Sequence, residues 1–409
     1  MSNPQFNQQL FSTPYPKKDA YGALQIPLYH SVAFEFDTAE AMELAFLCKT
    51  ADHTYSRISN PTVQFFEDRI AAITGAASVT ALSSGMAAIS NAIMALAYSG
   101  SNIVTSRHLF GNTYSLFAST LKDFGVSIRF CDLTDVADVE RNIDKNTCAV
   151  FLEIITNPQL EVADLQALAA LTSRTGVPLI ADTTVVPFCA FSAKKLGVNI
   201  EIVSSTKYIS GGATSLGGLI IDYGNFDWSK SPKINLLREA QPSAFTFKIK
   251  REIHRNLGAY MNPQTAYMQT LGLDTLDLRF QKAASACLYL ATALSSAKGI
   301  ETVNYTGLPG NKFYNLSTAQ FGKYPGAMFT FDLPSRKACF EFMNRLKFIK
   351  RATNLFDNKT LAIHPESTIY GTFSPADKEK MNVSPKTIRL SVGLEEADRL
   401  LEDIRQALQ

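Results

Sequence analysis

Past an opening of 60 residues that is polar, proline-containing and only weakly periodic, the chain settles into alternating helical and strand-like apolar patterns. The opening predicts an extended arm. "VQFFEDRIAAITG" (63–75) has helical spacing and a closing glycine, and "VTALSS" (79–84) leads from it into a second helix starting near Gly85. On that helix Met86, Ile89, Ile93 and Leu96 recur at helical spacing, with Ser84 placed to cap its first turn. Then come strands at "NIVTS" (102–106), "SIRFC" (127–131), "CAVFLEII" (148–155), "VPLIAD" (177–182), "IEIVSS" (200–205) and "GGLIID" (217–222), with helices over 112–125 and 164–176 between them. Short strands that are apolar throughout, alternating with helices, are what a parallel sheet covered on both faces requires. Beyond "QPSAFTFKIKREIHRNLG" the texture changes to a long helical stretch (264–298) and then to β segments such as "GAMFTFDL" interleaved with helices. The pattern predicts an arm (1–60), a large α/β domain (61–255) and a smaller α+β domain (256–409).

Composition leaves this picture intact. A chain of 409 residues with 46% hydrophobic and 19% charged residues has the make-up of a globular protein of two or three domains. The net charge of +2 says little about partners, and the lack of a dense Lys/Arg run argues against a nucleic-acid one. The longest apolar stretch, "MAAISNAIMALAY", is too short to span a bilayer, and the N-terminus lacks the pattern of a signal peptide, so no membrane partner and a cytoplasmic location are expected. The six cysteines form no C-x-x-C pair and the five histidines no close pair, so no metal is predicted.

Chemistry is sought at the carboxyl ends of the strands, where open α/β sheets collect ligands. Ser83, Ser84 and Gly85 form a strand-to-helix turn whose free amides suit an anion such as phosphate, although a plain serine cap gives the same sequence. Asp182 ends a strand and is either a turn aspartate or a buried acid awaiting a cationic ring nitrogen. Asn157 before Pro158 ends another, and also reads as a simple turn. Lys207 stands directly behind Ser204, Ser205 and Thr206, 25 residues after Asp182, about one crossover plus a strand away. A lysine in a partly dry pocket loses pKa and can condense with an aldehyde, while Ser204 and Thr206 could hold a phosphate. An anion-binding turn, a buried acid and a lysine together point to pyridoxal phosphate.

Six stretches, "TYSRISNPT", "SSGMAAI", "EIITNP", "LIADTT", "SSTKYISGGATSLGGLIID" and "TIRLSVGLEE", resemble in order and spacing the Cys/Met-metabolism family of pyridoxal-phosphate enzymes. The resemblance runs from about residue 20 to the end. It implies the aspartate-aminotransferase-like fold (fold type I), a mostly parallel α/β sheet with a smaller C-terminal α+β domain. By motif it makes Lys207 the lysine that carries the cofactor and Asp182 the partner of the ring nitrogen. It assigns the phosphate to Gly85, Met86, Ser204 and Thr206, and the substrate carboxylate to Arg389 with Asn157 and Asn354. Tyr55 and Arg57, matching the family's "YSRxxNPT", would reach the cofactor of a neighbouring subunit, which implies at least a dimer and commonly a homotetramer.

Two departures from the family pattern stand out. Phe110, in "HLFGNT", replaces the tyrosine that stacks on the cofactor, keeping the ring and losing the phenol. Asn354 and Phe356, in "NLFD", replace a serine and a glycine, and Phe356 is expected to narrow the pocket. Within the family, "TKYISGGATSLGG" and "NLFDNKTLAIHPESTIY" are most similar to the O-acetylhomoserine sulfhydrylase branch, and Asn112 stands where methionine γ-lyases carry a cysteine. The resemblance thus implies γ-replacement on an O-acylhomoserine by sulfide or a thiol, with cystathionine γ-synthase or methionine γ-lyase chemistry as alternatives. A dinucleotide-binding dehydrogenase would need a G-x-G-x-x-G turn that is absent. A non-catalytic ligand-binding relative has only the lost phenol in its favour.

Overall fold

The computed structural model describes residues 4–13, 21–234 and 244–409. Seven strands form the main sheet: β1 (Ser78–Leu82), β2 (Asn102–Thr105), β3 (Ser127–Phe130), β4 (Thr147–Glu153), β5 (Leu179–Asp182), β6 (Ile200–Val203) and β7 (Gly218–Asp222), in the order β1-β7-β6-β5-β4-β2-β3. Their alternate side chains enter two different cores. Val150, Leu152, Leu179, Ala181, Leu219 and Ile221 belong to one, while Ala149, Phe151, Ile180, Ile200, Ile202 and Ile220 belong to the other. Burial on both faces is why these strands read as unbroken apolar runs.

Helix boundaries follow local capping chemistry. Pro61–Thr74 starts at Asn60, whose side chain accepts from the Thr62 amide, and ends at Gly75 in a left-handed conformation (φ 67°). Gly85–Leu96 starts at Ser84, whose hydroxyl accepts from the Ala87 amide, and Leu165–Thr175 runs from Asp164 to a left-handed Gly176. The helix expected over 112–125 continues through a π-helical turn at Leu116–Thr120. The long stretch 264–298 is two helices, Pro263–Asp274 and Leu276–Leu294, that meet at Thr275.

The sheet is mostly parallel, as expected, with β7 running antiparallel to both β1 and β6. No crossover helix separates β6 from β7, so the chain returns along the neighbouring strand through the loop 204–217, which carries Lys207. The opening 60 residues are not simply extended, because they hold helices at Pro4–Ser12 and Ala39–Phe46. The first of these buries Phe6 and Leu10, with the Phe6 ring 6.2 Å from that of Phe188. Residues 1–3 and 14–20 of the expected arm lie outside the described residues. Finally, Val136–Asn142 is a helix that the pattern does not announce, since it buries only Val139.

A second sheet is built entirely after residue 300, from β8 (Thr302–Asn304), β9 (Met328–Asp332), β10 (Lys350–Arg351), β11 (Leu361–Ile363) and β12 (Thr387–Ser391) in the order β10-β11-β12-β9-β8. The helices Leu276–Leu294 and Arg336–Arg345 pack on it, and Ala397–Ala407 packs on both. β12 carries Arg389 toward the carboxyl edge of the main sheet, where Asn157 meets it. Among the described residues no helix is long and apolar enough to cross a membrane.

Candidate active site

Strands β4, β5 and β6 are parallel neighbours, so they end at one edge, and Glu153 and Asp182 stand in register there. Above that edge lies a cavity of about 260 Å³. Ten of the twelve residues singled out in the sequence line it: Gly85, Met86, Phe110, Asn157, Asp182, Ser204, Thr206, Lys207, Asn354 and Arg389.

One end of the cavity is backbone. The helix Gly85–Leu96 points its first amides inward, giving a partial positive charge suited to a phosphate. The loop 204–217 presses on that helix start so closely that only glycine fits at two points. A Cβ at Gly85 would lie 2.7 Å from the Ser204 Cβ, and one at Gly218 would lie 2.0 Å from the Ser84 carbonyl oxygen. Thr206 closes the loop on itself, its hydroxyl accepting from the Gly217 amide at 3.0 Å and donating to the Gly217 carbonyl at 3.1 Å.

The floor is acidic. Burial pushes the Asp182 carboxyl above its ordinary pKa, against the pull of Thr184, whose amide donates to Oδ1 at 3.0 Å, and of the Lys207 charge. Beside it Glu153 is pushed up to about 8, chiefly by burial and then by Asp182. Its Oε1 accepts the Phe110 amide at 2.6 Å and so holds the loop that presents the Phe110 ring. Glu153 was not singled out in the sequence. It carries the same signal as Asp182, an acid at the end of an otherwise apolar strand.

The opposite wall is cationic. Burial, then the nearby Arg389, lowers Lys207 to about 8, with Asp182 and Asp357 opposing. Its Nζ donates to Asn354 Oδ1 at 2.7 Å. Arg389 is 2% exposed and lowered to about 9 by burial. Its Nη1 donates to Asn157 Oδ1 at 3.1 Å and its Nη2 to the Asn354 carbonyl at 3.0 Å, while Nε has no partner among the described residues. A guanidinium met only by neutral acceptors, with a buried donor unsatisfied, is a seat for a carboxylate ligand.

Two residues lie elsewhere. Tyr55 is 40% exposed, and Arg57 sits over its ring at 5.4 Å while donating to the Arg255 carbonyl at 2.5 Å. Neither reaches the cavity of its own chain. Phe356 does not narrow the pocket as expected. Its backbone is left-handed (φ 54°), and the ring is stacked on Tyr208 with centroids 4.2 Å apart, buried outside the lining. Sequence reasoning also passed over Tyr370, whose buried hydroxyl lies 2.9 Å from the Leu109 carbonyl and 3.0 Å from that of Asn157, tying together the segments that present Phe110 and Asn157.

These groups fit pyridoxal phosphate. There are amides for its phosphate, an acid for its ring nitrogen and a buried lysine for its aldehyde, and the glycine at 85 lets Ser204 close on the helix start.

Comparison with known proteins agrees. The family model described as Cys/Met metabolism PLP-dependent enzyme matches residues 9–409. An O-acetyl-L-homoserine sulfhydrylase from Corynebacterium glutamicum is 33% identical, with 93% of this chain and 92% of the relative covered. The O-acetylhomoserine sulfhydrylase structure from Wolinella succinogenes is 45% identical with a TM-score of 0.78, covering 87% of this chain and 99% of its own. A putative O-acetylhomoserine (thiol)-lyase from Campylobacter jejuni, whose structure contains N'-pyridoxyl-lysine-5'-monophosphate, is 30% identical with a TM-score of 0.91, covering 98% and 99%. The chain therefore belongs to the Cys/Met metabolism family of PLP-dependent enzymes.

Proposed function

We propose that this chain catalyses γ-replacement on O-acetyl-L-homoserine, breaking the Cγ–O bond to release acetate and forming a Cγ–S bond to sulfide or a small thiol, so that homocysteine or methionine is the product. The observation that carries this reading is that Lys207 and Arg389 stand together on one wall of the cavity, which suits a substrate with an amine and a carboxylate on one carbon. The names of the relatives support the acetyl ester and the sulfur nucleophile.

Pyridoxal phosphate, when bound, supplies an electron sink for the bonding pair released at the substrate's α carbon. The residues around it hold, orient and move protons. The amides of Gly85 and Met86, with Ser204 and Thr206, would hold the phosphate, and Asp182 the ring nitrogen. Lys207, with its pKa lowered to about 8, is a base whose Nζ would move protons at the α and β carbons, directed by its hydrogen bond to Asn354. Arg389 and Asn157 would hold the substrate carboxylate in a fixed orientation. Phe110 offers a ring to cover the cofactor and no hydroxyl, so proton handling on that side falls to Lys207. Tyr55 and Arg57 would act in the site of a second copy, making the working unit at least a dimer and, as the family resemblance suggests, a tetramer. Apolar side chains left exposed on the same opening segment, among them Leu24 at 99% and Val32 at 60%, support such an interface.

Lys207 and Arg389 are the only cations lining the cavity among the described residues. A succinyl ester would bring a second carboxylate with no further cation of this chain to meet it, and the Arg57 proposed to come from a second copy is committed to the cofactor. Purified enzyme supplied with sulfide should therefore use the acetyl ester with a kcat/KM at least about tenfold above the succinyl ester, the worth of one charge-assisted hydrogen bond. A preference for the succinyl ester, or for cysteine over sulfide, would overturn the assignment.

The amine at 207 must be neutral to attack an aldehyde, and a pKa lowered to about 8 means that it loses its proton as pH rises through that value. Capture of pyridoxal phosphate by apoprotein, followed in the visible spectrum, should quicken up to about pH 8 and then level off. A rate still climbing toward the ordinary lysine range would show that the site does not lower the amine's pKa. Mixed oligomers assembled from Arg57→Ala and Lys207→Ala chains should regain activity that neither parent has, because one shared site is then intact. Absence of complementation counts against a shared site.

A further inference from the structure

Glu201 lies within β6, fully buried, opposite Ala181 of β5 and Ile221 of β7. A glutamate in a central strand that is otherwise apolar is costly if it is ionised without a cation. The charged group that acts on it is Asp182, another acid. Its two oxygens face hydroxyls. Oε1 is 2.5 Å from Thr183 Oγ1, and Oε2 is in short contact with the Tyr223 hydroxyl. Both hydroxyls are placed to donate to it, and with no cation beside it a protonated carboxyl, keeping one of these bonds and donating through the other, avoids the cost of an unpaired buried charge.

Thr183 is the residue after Asp182. Its amide donates to the Ile202 carbonyl at 2.9 Å, the Thr184 amide holds Asp182 Oδ1, and the Ser204 amide donates to Thr184 Oγ1 at 2.8 Å. The segment that aims Asp182 into the cavity is thus anchored to β6 and the residue after it by the Thr183 amide, by the Thr184 hydroxyl and by the Thr183 hydroxyl on Glu201. On the other flank Glu153 of β4 stands in register with Asp182. Three buried carboxyls therefore occupy three adjacent strands, Glu153 and Asp182 in register beneath the cavity and Glu201, paired with Ala181, one residue back on the other face of the sheet. Asp182 still acts on Glu201 across the sheet, and like charges in a dry site oppose one another's ionisation.

We propose that Glu201 is a positioning residue for the cofactor site, a proton-bearing acid behind the cavity floor that fixes Thr183, the neighbour of Asp182, and places no second negative charge behind the carboxyl that faces the ring nitrogen. Burial raises the pKa of Glu201 and that of Tyr223, in keeping with a proton held between them. The proposal rests on the pyridoxal-phosphate reading of the cavity, and its test uses no substrate, so it can fail while the assigned reaction stands.

The test has two readouts on cofactor-loaded protein. The infrared spectrum at neutral pH should contain the carbonyl stretch of a protonated carboxylic acid that disappears in Glu201→Gln. Thr183→Val, which removes the hydroxyl at nearly constant shape, should weaken pyridoxal phosphate binding by about tenfold and alter the visible circular dichroism of the bound cofactor, with Thr183→Ser restoring both. No acid carbonyl lost in Glu201→Gln overturns the proposal. So does a Thr183→Val protein that binds the cofactor with wild-type affinity and dichroism. Should Thr183→Val fail to fold, the infrared comparison decides alone.

Discussion

The site depends on how closely two stretches of backbone approach. The helix start at Ser84–Gly85 and the loop that returns from β6 to β7 share a space in which a single Cβ at residue 218 would sit 2.0 Å from a carbonyl oxygen. That contact is closed by glycines and by the Thr206 hydroxyl, which binds both backbone groups of Gly217. Because β7 runs back against both β1 and β6, the strand that feeds the helix and the strand that feeds the lysine loop end at the same edge. A phosphate at the amides and an aldehyde at Lys207 can then belong to one small molecule.

Electrostatics completes what the backbone begins. Two acids, Glu153 and Asp182, form the floor, and two cations, Lys207 and Arg389, form the wall, yet no acid is hydrogen-bonded to a cation within the cavity. Burial shifts all four toward neutrality. Groups kept apart in this way are costly in an empty pocket and become favourable once a ligand brings a ring cation to one side and a carboxylate to the other. Preorganisation of this kind is what positions reacting atoms and limits the reorganisation left to the reaction itself.

Much of the molecule was legible in its sequence, for reasons that can be named. Ser84 caps one helix and Gly75 ends another, as read from the chain, because capping is a local property of a few residues. The strand ends at Asp182 and Ser204 could be located because parallel strands buried on both faces leave polar residues only at their edges. The direction of β7 was hidden, since an apolar strand reads alike both ways and only the missing crossover helix tells. Phe356 was misread because its left-handed backbone, which no pattern of side chains reveals, sends the ring to Tyr208 rather than into the cavity. Glu153 and Glu201 were passed over because acids inside apolar runs look like isolated exceptions until the register of β4, β5 and β6 sets Glu153 beside Asp182 and Glu201 one residue behind it.

The whole account requires that Lys207, and no other lysine, carry the cofactor. Borohydride reduction of the loaded protein, followed by proteolysis and mass spectrometry, asks this directly. The expected result is one pyridoxyl-phosphate adduct, on the peptide containing "SSTKYISGG", at Lys207. An adduct on a different lysine, or none on that peptide, would contradict the account.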